Sequence, residues 1–154
     1  LAYYRAQEAA KATLPAEGAV LVTVSPRDRD GIIEPARQFQ NLGFKILATE
    51  GTREFLTENG IESETILKMH EGRPNINDAI ANGQIQLVIN TGSGDETKRD
   101  GYEIRRAALK FRLPYATTIA GARAICHGVA ALKERRLEVK SLQEYHRTLN
   151  REVG

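Results

Sequence analysis

Three short apolar runs stand out along an otherwise charge-rich chain. Ala19-Val-Leu-Val-Thr-Val24, Phe44-Lys-Ile-Leu-Ala48 and Ile85-Gln-Leu-Val-Ile89 are largely unbroken by charge, the pattern of strands buried on both faces. Glu64-Thr-Ile-Leu67 and Pro114-Tyr-Ala-Thr117 are weaker strand candidates. Between these runs the apolar spacing becomes helical. Ile32, Ala36 and Phe39 recur at four and three residues, with Gly43 as a stop. Pro35 falls inside that segment, so the helix either bends there or begins its regular part near Glu34 with Pro35 in the first turn. Thr52 to Asn59 reads as a short helix ending at Gly60, and Ile76, Ala79 and Ile80 mark another closed by Asn82-Gly83. Ile104, Ala107, Ala108 and Phe111 give one apolar helix face. Ile119 to Lys133 reads as a mostly buried helix, and Ser141-Leu-Gln-Glu144 as a capping box that starts a last one.

Strand alternating with helix five times predicts an α/β fold, a three-layer doubly wound sandwich of about five mostly parallel strands with helices on both faces. Leu1 to Ala12 reads as a helix and Leu14-Pro-Ala-Glu-Gly18 as a hinge, so residues 1–18 form an N-terminal helix and linker and residues 19–154 the domain proper.

Composition narrows the class. The 154 residues suit one domain, and 41% hydrophobic with 27% charged residues is too apolar for disorder. Twenty-two Lys and Arg against 20 Asp and Glu supply no nucleic-acid-binding field. No apolar run approaches the ~20 residues of a membrane helix. One cysteine, Cys126, excludes an intramolecular disulfide, suits a reducing compartment and reads as a core residue. The chain begins at Leu1 without a signal-peptide pattern, which reads as a piece of something longer.

In a doubly wound sheet, ligands bind beyond the carboxyl ends of the strands, where helix N-termini point. The segments there are Ser25-Pro-Arg-Asp-Arg29, Thr49-Glu-Gly-Thr52, Lys68-Met-His-Glu-Gly-Arg-Pro74, Asn90-Thr-Gly-Ser-Gly94 and Thr117-Thr118. Read singly, each has a plain role: Thr52 caps a helix, Gly92 and Gly94 serve a turn, and Lys68 and Arg29 are solvated charges. Together they place hydroxyls, cations and free N–H groups on one rim, a candidate anion site. Other chemistry is poorly supported. His70, His127 and His146 lack metal-ligand spacing, and no nucleophile elbow, Walker or dinucleotide motif occurs. The basic residues Lys98, Arg99, Arg105, Arg106, Lys110 and Arg112 alternate with Asp95, Glu96, Asp100 and Glu103, a solvated face.

Thr49-Glu-Gly-Thr52, Lys68-Met-His-Glu-Gly-Arg-Pro-Asn-Ile76 and Asn90-Thr-Gly-Ser-Gly94 resemble the carboxy-terminal domain of the carbamoyl-phosphate synthase large subunit, as do the stretches 99–108 and 113–123. Leu1-Ala-Tyr-Tyr-Arg-Ala-Gln7 resembles the segment joining that domain to the synthetase core. The resemblance implies a methylglyoxal-synthase-like fold that regulates rather than catalyses, with no catalytic residue, metal or cofactor of its own. The parent would be a cytoplasmic ATP-, Mg- and K-using ligase that makes carbamoyl phosphate from glutamine for pyrimidine and arginine biosynthesis. Its partners would be a nucleoside monophosphate effector (UMP inhibiting, IMP activating), ornithine, the synthetase domains and the glutaminase small subunit.

Carried over by position, Arg29, Thr49, Thr52 and Lys68 would hold the effector phosphate. Asn90 would contact phosphate or ribose, Thr91 the ribose, base or loop, Asp100 the ribose of a purine effector, and Thr117 ornithine. Two departures stand out. The family usually has lysine where this chain has Arg29, which can grip phosphate bidentately. Regulated bacterial members offer a threonine hydroxyl where this chain has Gly92, a loss of ~1 kcal/mol or about fivefold in affinity. The alternative is methylglyoxal synthase itself, a triose-phosphate lyase whose carboxylate base comes from a Gly-Gly-Asp loop after the third strand. This chain has Glu71-Gly-Arg-Pro74 there, with no aspartate. The related cyclohydrolase of purine synthesis would need a longer active-site loop.

Overall fold

The three apolar runs become the central strands of a five-stranded sheet: β1 (Ala19–Thr23), β2 (Lys45–Ala48) and β4 (Leu87–Asn90), with β3 (Glu64–Thr65) and β5 (Tyr115–Ala116) as two-residue edges. The computed structural model describes residues 14–68, 70–91 and 95–153, the side chains of 95–100, 152 and 153 excepted. The helix expected over Leu1 to Ala12 lies outside the described residues, as do Gly92 and Gly94.

All pairings are parallel and the strand order is β3-β2-β1-β4-β5. The chain winds outward from β1 through β2 to β3, then returns to the other side of β1 to place β4 and β5. The order therefore reverses between β1 and β4, where Thr23 stands opposite Asn90. A crevice opens at such a switch point because the loops leaving the two strands diverge to opposite faces.

Alternate residues of β1 serve two cores. Val20 and Val22 pack with Ile32, Ala36 and Phe39 of α1 (Arg29–Asn41), Leu56 of α2 (Glu50–Glu58), and Ile125 and Val129 of α5 (Ile119–Val153). Ala19 and Leu21 pack on the other face with Ile76 and Ile80 of α3 (Ile76–Ala81) and Ile104 and Ala108 of α4 (Asp95–Lys110). Each fully buried side chain of this size contributes roughly 1.5–3 kcal/mol. The sandwich is thus the doubly wound α/β architecture that the alternation of runs implies.

Two local expectations are revised. Helix α1 does not wait for Glu34: it begins at Arg29 and carries buried Pro35 in its interior. Pro35 leaves the carbonyl of Gly31 without its helical donor, and the missing Cβ of Gly31 lets the Ile119 side chain approach within 3.1 Å of where that atom would stand. Nor does a new helix start at Ser141. Residues 134–140, Glu-Arg-Arg-Leu-Glu-Val-Lys, contain no glycine or proline to stop α5, which runs unbroken for 35 residues. Among the described residues, Lys133 marks the last point at which α5 is tied to the domain. Its ammonium donates to the Leu42 carbonyl at the end of α1 and lies 5.6 Å from the Phe44 ring centroid. From Glu134 to Arg151 every residue is exposed.

Candidate functional site

A cavity of about 490 Å³ opens at the switch point. Arg29, Thr49, Thr52, Lys68 and Asn90 all line it, together with Thr23 at the end of β1 and Val24 and Ser25 beyond it. Five residues from four different loops thus meet where the fold alone places a ligand.

The loop after β2 is the floor. Thr49 is the N-cap of α2, extended at φ −69°, ψ 159°, and its side chain makes no capping hydrogen bond. It is only 6% exposed and immediately precedes the first turn, whose N–H groups have no intrahelical acceptor. Thr52 has a second duty: its Oγ1 accepts from the Val24 N–H at 3.3 Å, tying α2 to the end of β1. Its own O–H remains a donor.

The loop after β3 brings in the cation. Lys68 N–H donates to Glu71 Oε1 at 2.7 Å while Glu71 N–H donates to the Lys68 carbonyl at 3.0 Å, closing a turn. The base of the loop is pinned where Leu67 bridges Asn75 and the Ile76 N–H donates to the Leu67 carbonyl at 2.9 Å. Asn75 caps α3 in a reciprocal box with Asp78, and Arg73 donates to Asp78 at 2.7 Å. The Arg73 guanidinium, then the Asn75 N–H, hold the Asp78 carboxyl below its ordinary range.

Arg29, first residue of α1, also lines the cavity, with its guanidinium beside Gly51 of α2. Its Nε is buried without a hydrogen-bond partner among the described residues. Asn90 ends β4, 6% exposed, and donates from Nδ2 to the Tyr115 hydroxyl at 3.2 Å. Burial pushes the Tyr115 phenol up, so it stays neutral and accepts that bond. Gly101 has no Cβ to obstruct Asn90, whose Nδ2 lies 3.3 Å from where one would be.

The remaining site residues separate. Thr91 is buried and its Oγ1 accepts from the Ser25 N–H at 3.2 Å, so it joins the ends of β4 and β1 rather than facing the cavity. Asp100 belongs to α4 just before the cavity-lining Gly101, but its side chain lies outside the described residues. Thr117 is exposed beyond β5 and does not line the cavity. Sequence reasoning passed over Glu50, Glu54 and Glu71, three carboxylates that also line it. Glu50 and Glu71 sit inside the very motifs that drew attention, so they could have been found there. Tyr115 could not, because its place beside Asn90 depends on strand order. Among the described residues, no group of three His, Cys, Asp or Glu could hold a metal.

The arrangement can bind an anion. Two cations and a helix N-terminus converge on buried hydroxyls, and the carboxylates around the rim disfavour extended polyanions.

Comparison with known proteins places the fold in a family. A family model described as the MGS-like domain matches residues 31–117. The carbamoyl phosphate synthase large chain of Archaeoglobus fulgidus is 51% identical over 147 residues, 95% of this chain and 14% of that protein. A carbamoyl phosphate synthase large chain, C-terminal section, from Methanopyrus kandleri is 48% identical over 147 residues, 95% of this chain and 27% of that protein. The chain thus spans about a quarter or less of the length of these relatives. Among solved structures, a methylglyoxal synthase from Elizabethkingia anophelis superposes with a TM-score of 0.61 at 19% identity, over 73% of this chain and 79% of that one, a likeness of fold. The chain belongs to the MGS-like domain family and is similar, along nearly its whole described length, to the C-terminal section of carbamoyl phosphate synthase large chains.

Proposed function

We propose that this domain is a regulatory module that binds a nucleoside monophosphate, UMP or IMP, through its phosphate. The observation that carries the reading is the meeting of Arg29, Thr49, Thr52 and Lys68 around one cavity at the N-terminus of α2. The phosphate accepts from the first-turn N–H groups and the two hydroxyls while Lys68 and Arg29 neutralise its charge. Asn90, and Asp100 for a purine effector, meet the ribose. A cavity of about 490 Å³ lies within the range of small-molecule sites.

In this reading the domain acts on the synthetase portion of a large chain, with its glutaminase small subunit, in the cytoplasm. Effector binding there controls ATP- and glutamine-dependent synthesis of carbamoyl phosphate for pyrimidines and arginine. ATP, Mg and K belong to that portion. Ornithine meets the opposite region near Thr117. Residues 1–18 serve as the connection and residues 19–154 as the sensor.

Titration calorimetry against UMP, IMP and inorganic phosphate tests the reading. Binding is expected at micromolar to millimolar affinity, and Lys68→Ala weakens it by about 1.5 to 3 kcal/mol, roughly 10- to 150-fold. No binding of any of the three at millimolar concentration would sink it. The lyase alternative needs a free carboxylate base at the ligand. The loop after β3 carries Glu71 and no aspartate, with Glu71 Oε1 bonded by the Lys68 N–H, and on that departure we prefer binding without turnover, although Glu50 and Glu54 also line the cavity. Release of methylglyoxal from dihydroxyacetone phosphate above buffer background would reverse that choice.

A further inference from the structure

We propose that Phe55 is a positioning residue for the cavity's anion: its ring holds the Arg29 guanidinium across the start of α2, and the aromatic at 55 and the arginine at 29 work as a pair. This rests on the reading of the cavity as a phosphate site. Arg29 Cζ lies 6.0 Å from the Phe55 ring centroid, within reach of a cation–π attraction. One turn earlier on the same helix, Gly51 carries no side chain, and Arg29 Nη2 stands 3.2 Å from where its Cβ would be. Phe55 is itself half-buried against the core that contains Leu56 and Phe39. The guanidinium is therefore laid along the first two turns of α2, between a ring and a gap.

That position is unfavourable for a cation alone. The N-terminus of α2 carries the positive end of the helix dipole, and no carboxylate among the described residues lies within ion-pair distance of Arg29. Among the described residues, Nε is buried and unpartnered as well. A carboxylate partner would relieve this but would occupy the N–H groups and cancel the charge. A ring face attracts the guanidinium without cancelling its charge, and it is no rival to an oxyanion for the N–H groups. Arg29 thus keeps its charge and its fork for an oxyanion. A lysine ammonium has neither plane nor fork and is more strongly hydrated, so the same ring would attract it less than it attracts Arg29.

The test uses the chain with inorganic phosphate and UMP as probes, in calorimetry on the wild type, Phe55→Leu, Phe55→Tyr, Arg29→Lys and the Arg29→Lys/Phe55→Leu double variant. Phe55→Leu should weaken phosphate binding by about three- to tenfold, with Phe55→Tyr restoring it. In the Arg29→Lys background the same leucine substitution should change binding by less than about twofold. The Arg29 Nε–Hε resonance should move downfield in Phe55→Leu as the ring current is lost, a signature independent of affinity. Leucine leaving wild-type binding unchanged, or costing as much beside lysine as beside arginine, would overturn the pairing while leaving the phosphate site intact. A wild type that binds neither probe would instead remove the site itself, and the pairing with it. Should Phe55→Leu melt early, Phe55→Met supplies the same comparison with a larger side chain.

Discussion

At the scale of single residues, the threonines of the α2 loop show how one side chain can serve both fold and site. Thr52 Oγ1 satisfies the buried N–H of Val24, which has left the β1 ladder and has no strand partner. Thr52→Val keeps the shape and removes the acceptor, leaving a buried donor unmet. Urea unfolding should show a loss of about 1–3 kcal/mol, with weaker UMP binding, and Thr52→Ser should recover most of both. Cys126 is the opposite case, a reactive residue type with no role in the site. It is 1% exposed in the core, its Sγ 4.0 Å from the Pro35 carbonyl oxygen, and burial, then the nearby Glu34 charge, push its thiol up to about 11. The folded thiol therefore stays protonated where the unfolded one ionises. Its contribution to stability is complete below the unfolded value near 9 and declines as pH rises from there through about 11. Between pH 8 and 9 a disulfide reagent should label the native chain only at the rate of unfolding; rapid labelling in native buffer would show that the thiol is accessible.

At the scale of elements, the loop that presents Lys68 depends on the cap of the short helix after it. Asp78 accepts from the Asn75 N–H at 2.9 Å and from Arg73, linking both sides of the loop to the first turn of α3. Asp78→Ala should weaken phosphate binding several-fold although the residue does not line the cavity, which calorimetry beside Lys68→Ala would resolve. The Asp78 carboxyl titrates below 3.8, so the cap is fully effective above pH ~4 and is lost as pH falls through its lowered value. Acid unfolding of Asp78→Asn should lack that component. The elements were unequally legible in the sequence. β1, β2 and β4 could be read because both of their faces are buried, which writes a continuous apolar run. β3 could not be delimited, because Glu64 and Thr65 are exposed at an edge and carry no such run. Ser141 misled because a capping box only starts a helix when something has ended the previous one. The motif loops were legible as an anion site from their residue types and their place after strands. What escaped was the company those residues keep: the carboxylates on the rim, Tyr115 behind Asn90 and Phe55 beneath Arg29 are set by strand order and helix orientation.

At the scale of the whole molecule, the sheet order and the site are one fact. Parallel strands direct all their carboxyl ends to one edge, and the reversal between β1 and β4 opens that edge at a single place. The two cores on either side hold the loops apart and reach the cavity at Val24, Ile76 and Ile104, so most of the packing that stabilises the fold lies away from the ligand. The far end of α5 belongs to neither core. Leu137, Val139, Leu142, Tyr145 and Leu149 are 37–65% exposed, and no residue from Glu134 to Arg151 is buried. Ending the chain after Arg135 should therefore shift the unfolding free energy by no more than about 0.5 kcal/mol. The far-ultraviolet helical signal should fall in proportion to the helix removed, while phosphate binding stays unchanged. Calorimetry and circular dichroism on the shortened chain measure all three. A marked loss of stability would mean that the extension is held against a surface, either the domain's own or that of a second molecule. Sedimentation at two concentrations separates those cases, since only association makes the loss depend on concentration.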